Sequence, residues 1–456
     1  QHLRDEKKFD HGHDPSTPGA IDGAAFPLEN AAAVASAMQF PCGLRDHASL
    51  IARAGKLVRA TMKQCDNHFG DAIPRPVGIG GTAGTECFVN VAIAPRFETK
   101  TEQVVKVAAT KRFETVPATY KTVSEQVLVQ RQGAEAVIGY ASSGSCVGVA
   151  PAAEELKTLT LFYYCGTTRT FEEGAKEYVF RTMNSQDVEN IAAARYIVNL
   201  KPGLNSVSGM NQNYGWGQES WRDFIKSVQK LKPEVKVAAE QFPKIFAGQY
   251  GAEVTALTRS NADVIHSSFW GGDLDAFILQ AAPRGLLQKQ TAVLTTGGTA
   301  IDSLSKQIPE GTVIGVRGNG GALAPTSSFN DWFRAAYQKK YGEQPVFPAY
   351  YMAQSVLALK AAGDKAAAQS KSSPSVDAIR KALPGLEFAT PAGTVAMSRH
   401  KGHQAVTDIA YGTFKLAGGK PSLANVKRYK PECVVPPEGT KSLEWIEAGF
   451  PGAKCD

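Results

Sequence analysis

From residue 134 onward the chain alternates short, wholly apolar runs with longer stretches whose apolar residues recur every three or four positions. The first kind reads as strands covered on both faces, the second as amphipathic helices. Strands are predicted over residues 136–139, 159–164, 205–210, 235–241, 264–269, 292–295 and 313–316. Helices are predicted over 186–199, 217–230, 274–282, 328–341, 349–362 and 375–382. In 217–230, for example, Trp221, Phe224, Ile225 and Val228 share one face. Residues 406–415 alternate as an edge or hinge strand does, and 363–375, rich in Ala, Lys and Ser, reads as an exposed connection. Regular strand–helix alternation predicts a doubly wound parallel sheet, or two of them.

Upstream the pattern is less regular. Residues 1–26 are polar and read as a tail, with helices predicted over 27–38 and 47–62, the latter carrying Leu50, Ile51, Ala54, Leu57, Val58 and Met62 on one face. Residues 77–130 divide between two readings. In one, a 23-residue echo (Phe97, Thr99, Glu102 and Gln103 matching Tyr120, Thr122, Glu125 and Gln126) marks two β-rich repeats. In the other, strands at 77–79 and 103–108 and a helix at 117–129 form a contracted lead-in to the strand at 136.

Ligands of open parallel sheets collect beyond the carboxyl ends of the strands. The chemically distinctive residues of this chain stand there: Tyr140 to Ser145, Cys165 to Thr168, Asn213 to Trp216, and Trp270 to Asp273. At the first, Ser142, Ser143, Gly144 and Ser145 lead into a helix, whose unpaired amides and partial positive charge suit a carboxylate. The same serines also fit a simple helix cap. No GxSxG, GxGxxG or Walker A sequence is present, and no histidine stands in the other strand-end loops before His403. Hydrolytic and nucleotide chemistry are therefore not expected.

At 456 residues the chain exceeds what one core usually holds, so two or three domains are expected. The net charge of +7 is spread out, with sixteen Lys or Arg against fourteen Asp or Glu in residues 1–134, and forms no stripe for nucleic acid. No apolar run reaches the roughly 18 residues a membrane span needs. The first residue is Gln1, as expected of a processed chain whose leader has been removed, which points to export. The seven cysteines show no CxxC and no zinc-like spacing. In an oxidising compartment Cys433 and Cys455 are placed to pair and close the tail, as are two of Cys42, Cys65 and Cys87. Cys146 and Cys165 read as small apolar fillers of the core.

Residues 134 to about 415 resemble the solute-binding proteins of ATP-binding-cassette importers, in the branch of leucine, isoleucine and valine receptors and their relatives for amides and aromatic acids. The resemblance rests on GAEAVIGYASSGSCVGVAPAAEEL, the NYGWGQE turn, SSFWGGDLDAFI, FPAYYMAQSVLAL and HQAVTDIAYG, in the family's order. It implies the type I periplasmic binding fold: α/β, with two doubly wound parallel-sheet lobes joined by a three-crossing hinge, plus an N-terminal extension. By the same resemblance Ser143 and Ser145, with their amides, receive the ligand's carboxylate, and Thr167 or Thr168 adds a hydroxyl. Tyr214 closes from the second lobe as an aromatic wall, Trp270 shapes the side-chain pocket, and Asp273 faces the ligand's amino or amide nitrogen or else caps the following helix. Tyr350 and His403 are further candidates for contact with the ligand, or else line hinge surfaces. The implied partners are a small molecule bearing a carboxylate or amide and an ABC permease in the membrane. Nucleic acid, metal, cofactor and enzymatic chemistry have no part in it, and the location is the periplasm or cell surface.

The expected division is an extension over 1–76, a first lobe over 77–200 in which 77–133 is atypical, a second lobe over 201–325, hinge returns and completing helices over 326–415, and a tail over 416–456. Because the front departs from the family's pattern, a rival expectation is a binding-protein scaffold reused as a structural or surface-assembly subunit, with self-assembly through residues 1–133.

Overall fold

The computed structural model describes residues 58–61, 86–89, 135–369 and 373–455. The expectations for residues 1–57, for both readings of 77–130 apart from 86–89, and for pairing among Cys42, Cys65 and Cys87 lie outside the described residues. Strands β1 (Val58–Thr61) and β2 (Glu86–Val89) pair antiparallel, with Val58 opposite Val89. This corrects the end of the helix expected over 47–62: Val58 and Thr61 are β-branched and favour the extended chain.

Thirteen strands follow among the described residues: β3 (Ala136–Gly139), β4 (Leu159–Phe162), β5 (Val179–Arg181), β6 (Ser206–Met210), β7 (Lys236–Gln241), β8 (Val264–Ser267), β9 (Thr291–Leu294), β10 (Val313–Gly315), β11 (Glu387–Thr390), β12 (Gly393–Arg399), β13 (Gln404–Val406), β14 (Ile409–Ala417) and β15 (Lys420–Tyr429). They form two sheets. The first lobe is ordered β11-β12-β13-β5-β4-β3, parallel from β3 to β13 and antiparallel beyond. The second is ordered β15-β14-β10-β9-β8-β6-β7, with β7 to β10 all parallel. Its parallel part has the 2-1-3-4-5 order whose ligand crevice opens where the winding reverses, between β6 and β8. Residues 420–429, expected within the tail, are instead the edge strand β15, and the connection expected from 363 is helical as far as Ala368.

The apolar residues pack as the alternation requires. Leu159, Leu161, Phe180, Ala358, Ile379, Val395 and Met397 make the first lobe's core. The second lobe buries one cluster on each face of its sheet: Ile191, Val207, Trp221, Phe224 and Val264 on one side, Tyr250, Phe269, Phe277 and Ile314 on the other. The Gln186–Leu200 helix, grouped by sequence with the first lobe, packs into the second. So does the end of the chain, through Cys433, Val434, Trp445 and Ile446, with Cys433 and Cys455 disulfide-bonded as expected.

Three crossings join the lobes: residues 182–185 after β5, the segment after β10, and 407–408 between β13 and β14. They are laced together. Asn184 Nδ2 donates to the Thr407 carbonyl at 3.0 Å, the Thr407 amide returns a bond to Asn184 Oδ1 at 3.1 Å, and the Ala410 amide donates to the Gly318 carbonyl at 2.8 Å. Beside them Arg399 is buried with Asp187 at 3.0 Å and Glu172 at 3.4 Å. Ser442, which begins the Ser442–Glu447 helix, sets its hydroxyl against both carboxylates, 2.7 Å from Asp187, and donates its amide to Glu172 at 2.9 Å.

Candidate functional site

The carboxyl ends of β3 and β4 in one lobe face those of β6, β8 and β10 in the other. On the first side, the helix Ser143–Glu155 is capped by Ser142, whose Oγ accepts from the Gly144 amide at 3.2 Å. The capping serine is thus Ser142. Ser143 turns its hydroxyl to the next loop, where Oγ accepts from the Gly166 and Thr167 amides at 3.3 Å each. Ser145 lies half-buried in the first turn, beside the exposed Gly144.

Cys146 and Cys165, expected as separate fillers, form a disulfide with 6.3 Å between Cα atoms, and both are fully buried. The cause is the pairing of β3 with β4, which brings the two loops side by side although 19 residues separate the cysteines. The disulfide ties the start of the Ser143–Glu155 helix to the loop carrying Thr167 and Thr168.

Those two threonines are occupied from across the cleft. Thr167 Oγ1 donates to the Glu219 carboxylate at 2.9 Å, and the Thr168 amide donates to it at 3.3 Å. Glu219 belongs to the second lobe's Gly215–Leu231 helix, and burial pushes its carboxyl up to about 7. One turn on, Asp223 accepts from Gln186 Nε2 at 2.7 Å and pairs with Arg222, and burial pushes it up to about 6.

Tyr214 and Trp270 meet on the second lobe, Trp270 Nε1 donating to the Tyr214 hydroxyl at 2.8 Å. Asp273 is buried and accepts from Gln212 Nε2 at 2.6 Å and the Phe246 amide at 2.8 Å. It does not cap its helix, where Gly271 holds the cap position at φ 58°. Tyr350 stands apart, donating to Asn330 Oδ1 at 2.8 Å within a cluster with Phe333 and Tyr337. His403 stacks on Phe180 with Nδ1 on the Val179 carbonyl at 2.9 Å.

Arg317, which sequence reasoning missed, occupies the middle of this region. It follows β10 and is buried with its guanidinium between the rings of Trp216 (4.1 Å) and Tyr164 (4.5 Å). Nε bonds the buried Glu189 carboxylate at 3.2 Å, Nη1 donates to the Tyr164 carbonyl at 2.6 Å, and Nη2 has no hydrogen-bond partner. Burial draws the Glu189 carboxyl well above its usual range. A Cβ on Gly166 would overlap both the Trp216 ring and Arg317 Nη2, so only glycine lets the lobes approach this closely here. The available signal was position: Arg317 directly follows a strand, as the other cleft residues do.

Two doubly wound lobes, three laced crossings and facing strand-end loops define a hinged binding protein. The chain belongs to the periplasmic binding protein family, whose model matches residues 114–420. Its fold is similar to that of a solute-binding protein of an ABC transporter from Rhodopseudomonas palustris BisB5 in complex with 3,4-dihydroxybenzoic acid (18% identity, TM-score 0.56, covering 65% of this chain and 78% of that one). It is likewise similar to one from R. palustris in complex with benzoate (20%, TM-score 0.55, 66% and 79%) and to a leucine-binding protein from Thermotoga maritima (18%, TM-score 0.55, 65% and 81%). No curated protein matches the chain. Membership makes this an extracytoplasmic binding protein rather than an enzyme. No helix among the described residues is long and apolar enough to cross a membrane.

Proposed function

We propose that the protein captures an amino acid, amide or small carboxylate, aromatic acids included, between its lobes and delivers it to an ABC permease. The observation that carries this reading is the Thr167/Thr168–Glu219 contact. Donors on the first lobe hold a carboxylate supplied by the second, the chemistry that enclosing an anionic ligand demands. Ser143, Ser145, Thr167 and Thr168 form the anion side of the site; Tyr214, Trp270 and Asp273 form the opposing wall, and Tyr350 supports the hinge side. A ligand's carboxylate displaces Glu219 from the threonines and inherits their hydrogen bonds. The carboxylate-bearing ligands named for similar structures support the same ligand class.

Thermal unfolding against a panel of amino acids, amides and aromatic acids tests this. A true ligand at 100 times its Kd stabilises by about 2.7 kcal/mol. Ser145→Ala and Asp273→Asn are expected to weaken binding of that ligand roughly tenfold each, the loss of about one hydrogen bond. If no compound raises the melting temperature, the receptor reading fails.

A further inference from the structure

Arg317 carries more polar capacity than the protein uses. Its guanidinium is 3% exposed, and a buried polar group without a partner is costly, the more so on a cation. Two of its three nitrogens are committed, Nε to Glu189 and Nη1 to the Tyr164 carbonyl. Nη2 is buried and unpartnered, and it points at Gly166, across the line where the lobes meet. Glu189, the one carboxylate on this guanidinium, is itself drawn towards the neutral form by burial. The remaining neighbours are two aromatic faces, which attract a cation without neutralising it.

We infer that Arg317 is the anchor for the ligand's carboxylate, received on Nη2 from the second lobe, and that the ligand it selects is flat around that carboxylate. The inference rests on the receptor reading above and sharpens its ligand class. Opening separates Gly166 from Trp216 and Arg317, and a carboxylate entering there meets the unspent N–H groups first. A carboxylate accepting from a guanidinium lies near the guanidinium plane. Here the guanidinium carbon lies over both the Trp216 and the Tyr164 ring, so whatever carries the carboxylate enters beside those two aromatic faces. An aromatic acid continues the plane, whereas a puckered ring or a tetrahedral α-carbon does not. Arg317 thus supplies both charge and shape discrimination, with Thr167 and Thr168 closing on the far side.

The test is calorimetric titration of the full chain with benzoate, benzamide, cyclohexanecarboxylate and leucine, on the wild type, Arg317→Gln and Arg317→Lys. The wild type is expected to bind benzoate at least tenfold tighter than cyclohexanecarboxylate and at least thirtyfold tighter than benzamide. In Arg317→Gln the benzoate and benzamide affinities converge to within about threefold, which a purely structural loss would not produce because it weakens both alike. Arg317→Lys keeps the charge and the fold while losing the planar fork; it retains preference for the acid over the amide but loses that for benzoate over cyclohexanecarboxylate. Should either variant be unfolded by circular dichroism, the other decides. Binding of leucine in preference to benzoate, unaffected by Arg317→Lys, leaves the receptor reading standing and overturns this one. Acid-over-amide selectivity surviving in Arg317→Gln, or flat-over-puckered selectivity surviving in Arg317→Lys, also overturns it. No binding of any panel member by the wild type overturns both.

Discussion

Thr167 and Glu219 stand 52 residues apart in sequence and meet at 2.9 Å across the cleft, one from each lobe. This bond is a latch between the lobes made wholly of protein. A neutral buried hydrogen bond contributes about 0.5–1.5 kcal/mol, so Glu219→Ala should move the open–closed balance toward open by roughly two- to tenfold. Small-angle scattering reads this as a larger radius of gyration in ligand-free Glu219→Ala. An unchanged radius would show that the latch does not set the balance.

The same carboxyl gives closure a pH dependence. Its ordinary value of 4.5 is pushed up to about 7 in the closed molecule, so the closed form binds the proton more tightly. The contribution is therefore fully present below about 4.5 and is lost as pH rises through 7, levelling off above. Asp223, pushed up to about 6, has its partners Gln186 and Arg222 within the second lobe and takes no part in closure. Ligand-free protein labelled with one fluorophore per lobe should lose energy transfer between pH 5 and 8. In Glu219→Gln that change should vanish; a change of the opposite sign in the wild type rules this account out.

Gly166→Ala is expected to prop the lobes apart, because the added methyl meets Trp216 and Arg317 of the facing lobe. The backbone at 166 is not in the left-handed region, so the substitution itself should leave the first lobe folded. Melting temperature within about 3 °C of wild type, with a larger radius of gyration, is the predicted pair of results.

Removing the Cys146–Cys165 disulfide should destabilise the protein by about 3 kcal/mol on loop-closure entropy alone. Cys146→Ala/Cys165→Ala, compared with wild type by urea unfolding without reductant, measures it. A drop below about 1 kcal/mol would mean that the apolar surroundings of Phe162 and Phe171, not the cross-link, hold the loops together.

At the hinge, Arg399→Met leaves Asp187 buried without its cation, a change expected to cost about 3–5 kcal/mol. The double variant Arg399→Met/Asp187→Asn should recover much of the loss in chemical denaturation. Equal losses in the single and double variants would show that the pair is not coupled.

Much of this architecture is legible in sequence, because each buried parallel strand announces itself as a short apolar run and each helix as a stripe. The 328–341 helix is found where its pattern places it, between the cap Ser327 and the left-handed Gly342. Strand-end chemistry at Ser143, Thr167, Tyr214 and Trp270 is legible for the same reason, since parallel topology puts those loops on one edge. Partnerships are not. The Cys146–Cys165 bond depends on which strands are neighbours, and Glu219 hides on a helix whose aromatic residues dominate the pattern. A second signal stood beside them: Glu219, Asp223 and Ser227 recur at four-residue spacing, an acidic and hydroxyl stripe that the fold buries. Arg317 was masked by the glycines that follow it, which read as a turn and nothing more.

The contacts between the lobes differ in lever arm. Ser442 grips Asp187 and Glu172 beside the crossings, close to the pivot, whereas Thr167 and Glu219 touch at the mouth. For any angle of opening, displacement grows with distance from the pivot, so the mouth separates first and furthest. The segment 433–455 is fastened to the second lobe through Trp445 and the Cys433–Cys455 bond, so Ser442 reaches Glu172 of the first lobe from a fixed base. Because a contact near the pivot moves little for a given angle, the Ser442 contacts survive small openings that already part Thr167 from Glu219.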